Sequence, residues 1–311
     1  MAWTTFVNGT TADADEVNDN FEIVKGTGDG SDGAFSESSG DTALTGGTIY
    51  QYTTFSLTGT ATISYSGTTQ KPVIILIQGD CTISTSGTCD FNGKVTTTPT
   101  LTTTSLVEGK DETRIYVISN TDGEDGNSSD SGGFPTMPGN PATYQDIIRE
   151  GTCSQLSNCP MYIQGGTKGG TGAVAEAGTT GGPGGAGGAA LMIIAGGDTA
   201  ISNVTFDMEG ADGGNGTFGE NPSIAHGGGG GGSGVIAIFS YGTLTDSGTY
   251  STAASAGGSG AENGSWSATS MSSGSGGASM VGRGGIGNYS SNTPQPGGVG
   301  GAGFSVRKQL L

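Results

Sequence analysis

Apolar and polar positions alternate along this chain with two periods. Near the start, Val17, Phe21 and Val24 recur at i, i+4 and i+7, one apolar stripe on a short helix. Thr10 or Thr11 is placed to cap it. Asp13, Asp15 and Glu16 fall in its first turn, where the helix dipole favours acids. A lone stripe on a terminal helix invites contact with copies of the chain or with a partner protein; docking on the following domain is the alternative. After the Gly-rich stretch 26–33, up to about residue 119, Thr, Ile, Val and Tyr alternate with polar residues at period two, which predicts strands.

One phrase recurs inside the β region and beyond it. Phe55, Leu57, Gly59, Ile63, Ser64, Gly67 and Thr68 match Ile75, Ile77, Gly79, Ile83, Ser84, Gly87 and Thr88 without a gap. A third copy runs through Ile193, Ala195, Gly197, Ile201 and Ser202. A fourth runs through Ile236, Ile238, Ser240, Leu244, Thr245, Gly248 and Thr249. Each places apolar or small residues at n and n+2, then a turn, then an apolar residue at n+8. The first two copies start 20 residues apart, about one turn of a β-solenoid whose coils bury their inward residues on one another. The later copies are separated by insertions after Gly93, Gly210 and Ala254, equivalent points of the phrase.

Those insertions hold most of the glycine. The chain has 64 Gly in 311 residues, about three times the usual share. Most lie in 165–188, 210–234 and 257–303. Insertions from equivalent points of stacked coils emerge side by side on one face. Extended glycine strands with three residues per turn have no internal hydrogen bonds, and pair with neighbours when glycine lets backbones approach. The expected architecture is all-β: a β-solenoid-like body with Gly-rich, polyglycine II-like insertions packed on one face, and a short N-terminal helix. The segments are 1–26 for attachment, 27–164 as the solenoid-like region and 165–311 as the Gly-rich region. Collagen is excluded, because Gly-X-Y is not sustained and Pro numbers only 10.

Only 32% of residues are hydrophobic and 12% charged, and the net charge is −18. Such a surface repels nucleic acid and anionic lipid. No run reaches the length of a membrane span, and 1–11 carries no secretion signal. The four cysteines form two local pairs, Cys81/Cys89 and Cys153/Cys159, without metal-ligand spacing. Disulfides, which fit an extracellular particle, and buried free thiols both remain open.

The start of the chain, with Phe6, Asn8, Gly9, Val17, Asn18, Asn20 and Phe21, resembles N-termini of tail-fibre-like structural proteins of tailed phages. Asp29, Gly30, Ser31, Asp32 and Gly33, then Gly46, Gly47, Thr48, Ile49, Tyr50 and Tyr52, then Gly79, Asp80, Thr82 and Ile83 resemble Gly-rich phage and bacterial surface proteins. The C-terminal half is similar in style to tip adhesins on the long tail fibres of T-even-like phages. The resemblance implies a virion tail fibre or receptor-binding subunit, extracellular and a homo-oligomer, with a trimer as the expected symmetry. It implies attachment to other tail proteins through 1–26 and contact with a host receptor or glycan through distal loops.

Candidate side chains are few. Phe218, His226, Trp266, Met271, Met280 and Tyr289 are large residues among small ones and are expected at loop tips as receptor-binding anchors. His226 has no nucleophile motif near it and reads as a loop histidine. Gly28, Gly30 and Gly33 spell a dinucleotide fingerprint, but no βαβ pattern surrounds them. The acids Asp29/Asp32 and Asp122/Glu124/Asp125/Asp130 read as solvated turns. No metal, cofactor or catalytic residue is expected. Asp207 and Glu209, on one face of a strand-like run, define the enzymatic alternative, a tailspike-like glycan depolymerase. A bacterial or capsid surface structural protein is the third class.

Overall fold

The computed structural model describes residues 27–97, 104–105, 115–117, 161–174, 180–217, 223–263, 271–279, 284–285, 287, 289–290 and 293–310. They are all-β, and the expected N-terminal helix lies outside them.

The strands fall into three parallel ladders that the chain visits in rotation. The first ladder joins β1 (Ala34–Glu37), β4 (Thr54–Gly59), β7 (Cys81–Thr85) and the leading halves of β13 (Thr199–Asp207) and β16 (Leu244–Ser251). The second joins β2 (Asp41–Thr45), β5 (Thr62–Ser66), β8 (Thr88–Asp90) and the trailing halves of β13 and β16. The third joins β3 (Ile49–Tyr52), β6 (Val73–Ile77), β12 (Ala190–Ala195), β15 (Val235–Ser240) and β20 (Phe304–Gln309). Strands β9 (Thr104–Ser105), β10 (Ile115–Val117) and β11 (Met161–Tyr162) make a small separate sheet. The first two ladders share β13 and form one eight-stranded sheet, strongly curled into a half-barrel. The bend in β13 falls where the register shifts between Ser202 and Thr205. Asn203 sits there at φ 57°, the one non-glycine residue with positive φ among the described residues. Asn tolerates this left-handed conformation better than other side chains.

Period-two alternation decides what the ladders enclose. Phe55 and Leu57 on β4, Ile63 and Tyr65 on β5, and Cys81 and Ile83 on β7 point inward. Their Thr and Ser neighbours point out. The third ladder is different, because β6, β12 and β15 are buried at every position, as expected of parallel strands covered on both faces. Ile75, Ile77, Leu191, Ile193, Ile236 and Ile238 join the enclosed core. Ile74, Leu76, Met192, Ile194, Ala237 and Phe239 form a second cluster with Ile163 and Leu310 on the other side. Turns between neighbouring strands are tied together by carboxylates: Asp198 donates its N–H to Asp80 Oδ1 at 2.9 Å, and Thr243 N–H donates to Asp198 Oδ1 at 2.7 Å. In each ladder the strands from 27–164 are continued by strands from 165–311, and the two regions share one core.

The repeated phrase is real, but two of its copies are shifted. Copies two and three pair as read, with Ile75 beside Ile193, Ile77 beside Ala195 and Ile83 beside Ile201. Copy four is displaced by two residues, since Ile193 pairs with Ile238 and not Ile236. Copy one belongs to another ladder: Phe55 pairs with Cys81 and Leu57 with Ile83, an offset of 26 residues (81 − 55) in place of 20. The 20-residue spacing holds one turn earlier, where Ala34 pairs with Thr54.

The three insertions leave after β8, β13 and β16, at the end of the second ladder, and return into β12, β15 and β20 of the third. Stacked exits bring their Gly-rich tracts together. The tracts are extended, and their hydrogen bonds step by three residues. Gly182, Gly185 and Gly188 donate to the carbonyls of His226, Gly229 and Gly232. Gly228, Gly231 and Gly234 donate to Gly214, Ala211 and Met208. His226, Gly229 and Gly232 donate to Ala173, Gly170 and Thr167, and Gly227, Gly230 and Ser233 to Gln295, Gly298 and Gly301. Gly274 and Gly277 donate to Gly227 and Gly230, and Gly258 donates to Gly228. Tract 226–234 is therefore the axis of a bundle, with six neighbouring tracts around it.

The central position explains the longest glycine run. A side chain on tract 226–234 has no free direction, and 227–232 is six consecutive glycines. A Cβ on Gly230 would lie 2.5 Å from Ala256 O and 2.8 Å from Ser255 O, and the other five come closer still to backbone carbonyls. Peripheral tracts keep one free direction in three. Pro183 and Ala186, Asp212 and Asn215, Ala256 and Ser259, and Pro296, Val299 and Ala302 take it, all exposed or half-buried, while small or hydroxyl residues such as Thr167, Ser255, Ser275 and Ala278 are buried between tracts.

Candidate functional site

The end of the bundle farthest from the ladders is where its tracts turn. Four pairs of stems meet there, Val174 and Thr180, Thr217 and Ser223, Asn263 and Met271, and Ser290 and Thr293, whereas Ser279 lies back at the ladder end beside Ala302. The stems are held level with one another. Val174 bridges Ala225 and Thr180 bridges Thr217. β14 (Ser223–Ala225) pairs antiparallel with β17 (Ala261–Asn263), and β18 (Met271–Ser272) with β19 (Tyr289–Ser290). Gly274 N–H reaches Gly227 O, and Gly227 N–H reaches Gln295 O. Four pairs of stems widely separated in sequence thus share one end of a tightly bonded bundle.

The candidate anchors divide accordingly. Met271 and Tyr289 lie on the paired stems β18 and β19, with Met271 opposite Ser290 and Tyr289 opposite Ser272. Phe218, Trp266 and Met280 lie outside the described residues; the described chain at Thr217, Asn263 and Ser279 leads to each. Val17, Phe21 and Val24, and also Cys153 and Cys159, lie outside them too.

His226 needs correction. It is not a loop residue offered to solvent: its exposure is 0%, and it opens the central tract beneath the turns. Its N–H donates to Ala173 O at 3.0 Å, and its carbonyl accepts from Gly182 N–H at 2.9 Å. Its Nδ1 accepts from the Gln295 N–H at 3.3 Å. An accepting Nδ1 puts the proton of the neutral ring on Nε2, which is buried without a hydrogen-bond partner. Such an orphan donor costs about 1–3 kcal/mol. Burial pushes the imidazole down to about 4, because the charged form loses its hydration. No sequence signal pointed to Gln295; its role follows only from the level at which its tract meets tract 226–234.

A Cys81–Cys89 disulfide is also corrected. Both residues are buried free thiols. They stand on strands of different ladders, each pointing into the core as a small apolar side chain. Burial raises the Cys81 thiol to about 12 and Cys89 to about 11, which leaves both inert as nucleophiles.

The carboxylates of the enzymatic alternative are bonded across strands. Asp207 Oδ2 accepts from Asn92 Nδ2 at 3.1 Å and Oδ1 from Glu209 N–H at 3.1 Å. Glu209 Oε1 accepts from the Ser251 hydroxyl. They link the second ladder to the base of the insertions. Gly28, Gly30 and Gly33 all have positive φ and serve the turn before β1. In that turn Asp29 Oδ1 accepts from Ser31 N–H and Asp32 Oδ2 from Gln51 N–H. Among the described residues no cluster of three or more His, Cys, Asp or Glu is placed to hold a metal. No family model, curated protein or solved structure matches the chain.

Proposed function

We propose that this chain is a virion tail fibre or receptor-binding structural protein. It contacts the host surface through the connections at the outer end of its glycine bundle. In this reading the three ladders are a β-solenoid body and the bundle is a polyglycine II lattice. Residues 1–26 attach the chain to other tail proteins, and copies assemble, with a trimer as the expected form. The carrying observation is the convergence of four sequence-distant pairs of stems on one end of a bundle whose interior tolerates almost no change. A glycine lattice fixes the stems through backbone bonds, so the turning residues are free to vary in length and chemistry. That division suits recognition by many weak contacts multiplied over copies.

The depolymerase reading gains nothing from Asp207 and Glu209, which serve strand-to-strand links. The deciding experiment exposes host cells to the full chain and to variants with 264–270 or 218–222 replaced by Gly-Ser turns of equal length. Loss of cell binding with unchanged thermal unfolding supports the proposal. Binding unaffected by both replacements, or electron microscopy placing the chain in a capsid shell, overturns it. Release of host glycan that Asp207→Asn or Glu209→Gln abolishes would establish the enzyme instead.

A further inference from the structure

We propose that His226 is a proton-sensitive latch, which as a neutral ring ties together the stems at the outer end of the bundle and in acid lets them part. It is the single histidine of the chain, and it stands where the axis of the bundle begins. Its three polar links reach three different tracts. The backbone N–H goes to Ala173 before the first connection, and the carbonyl takes Gly182 N–H after it. The ring Nδ1 takes the Gln295 N–H after the last connection.

The ring link works for one protonation state only. A protonated imidazole carries N–H on both nitrogens, so Nδ1–H would face the Gln295 N–H, donor against donor. Among the described residues the tracts facing the ring bring no carboxylate to its level, and Glu262 stands on β17 opposite Ile224, two positions before His226. The 167–174 tract presents Gly172 and Ala173 at this level, and its one charged residue, Lys168, stands farther back beside the base. The 180–188 tract presents Gly181 and Gly182, and the 252–260 tract presents Gly258. The last tract presents Gln295 between Pro294 and Pro296, and Asp212 lies outward on its own tract, bonded to the Ala256 N–H. Burial acts on the ring against its charged form. A charge without a counter-ion at a buried point forces either deprotonation or opening. Opening at this level releases the Gln295 and Gly182 amides. The ladders, anchored at the other end, have no bond to the ring.

A ring that titrates near 6.5 when freed and about 4 when buried favours opening in acid, by roughly a hundredfold at pH 4 relative to pH 7. Hydrogen exchange of the full chain reads this without any host ligand, so its failure is separable from failure of the host-contact reading. Corrected for the intrinsic rate, protection at Gln295 and Gly182 is expected to fall roughly a hundredfold from pH 7 to pH 4. Protection at Ile75 and Ile193 in the ladders is expected to hold. In His226→Gln, whose side-chain carbonyl accepts from Gln295 but does not titrate in this range, the fall disappears. Protection that does not change with pH in the native chain, or that falls equally in His226→Gln, overturns the latch. Should the variant not fold, the native imidazole is followed by NMR: a midpoint below 5 upholds the proposal, and one at 6 or above overturns it.

Discussion

Gly230→Ala adds one methyl group at the axis of the bundle, and the structure fixes where it goes. The new Cβ stands 2.5 Å from Ala256 O, 2.7 Å from Ser255 Oγ and 2.8 Å from Ser255 O. A relaxed carbon–oxygen contact needs about 3.3 Å, so the 252–260 tract must withdraw by about 0.8 Å. Ser255 Oγ can rotate, but the two carbonyls belong to backbone held by Gly258 N–H on Gly228 O and Gly300 N–H on Ser255 O. Overpacking of this kind costs about 1–3 kcal/mol, and each strained or broken backbone bond about 1 kcal/mol more. Against this, the alanine restricts the unfolded chain and returns about 0.4–1 kcal/mol. The net expectation is a loss of about 3 kcal/mol, or roughly 5–10 °C in Tm for a domain of this size. Val299→Ala is the control. Val299 occupies the free direction of a peripheral tract, is 53% exposed, and should change stability by less than about 0.5 kcal/mol. Calorimetry of the two variants beside the parent decides the matter. If Gly230→Ala melts with the parent, or no lower than Val299→Ala, the axial role of tract 226–234 is wrong.

At Asn203, held at φ 57°, Asn203→Gly should leave the urea midpoint unchanged or slightly higher. Asn203→Val should lower stability by about 1–2 kcal/mol; equal midpoints would contradict the left-handed corner of β13. Cys81 and Cys89 should resist iodoacetamide in the native chain and both label on unfolding without reductant. Recovery of a peptide disulfide joining them would refute their assignment as thiols. His226 also sets a pH dependence. Its folded value, about 4, lies below the unfolded 6.5, so the native state binds fewer protons between them. Its contribution is complete above pH 6.5 and falls through that window, by about 3 kcal/mol in total before levelling below pH 4. Urea unfolding at pH 7, 5 and 4 should show this loss in the native chain beyond that in His226→Gln; parallel losses would count against a buried ring.

Strand faces were legible in the sequence, because they are local. Period two alone puts Phe55, Leu57, Ile63, Cys81 and Ile83 on the inside. Which residues of a glycine strand face outward, such as Pro296, Val299 and Ala302, and that the run of six glycines is the strand with no outside, appear only once the tracts pack. The grouping of the tracts was also readable, since insertions at equivalent points of a repeat must emerge together. Ladder membership was not. Strands of the first and third ladders both carry apolar residues at n and n+2, so the phrase starting at Phe55 matches the phrase starting at Ile75. Only the 26-residue return of the chain, set by turn lengths and by which inward residues meet, separates them. The same limit applies to single side chains. Cys81 and Cys89 are close in sequence but belong to different ladders. His226 looks like loop chemistry until six neighbouring tracts close around it. A pattern states which way a residue faces; what it faces depends on partners that the chain brings from 50 or 100 positions away, and those are fixed only when the whole set of backbone bonds is made at once.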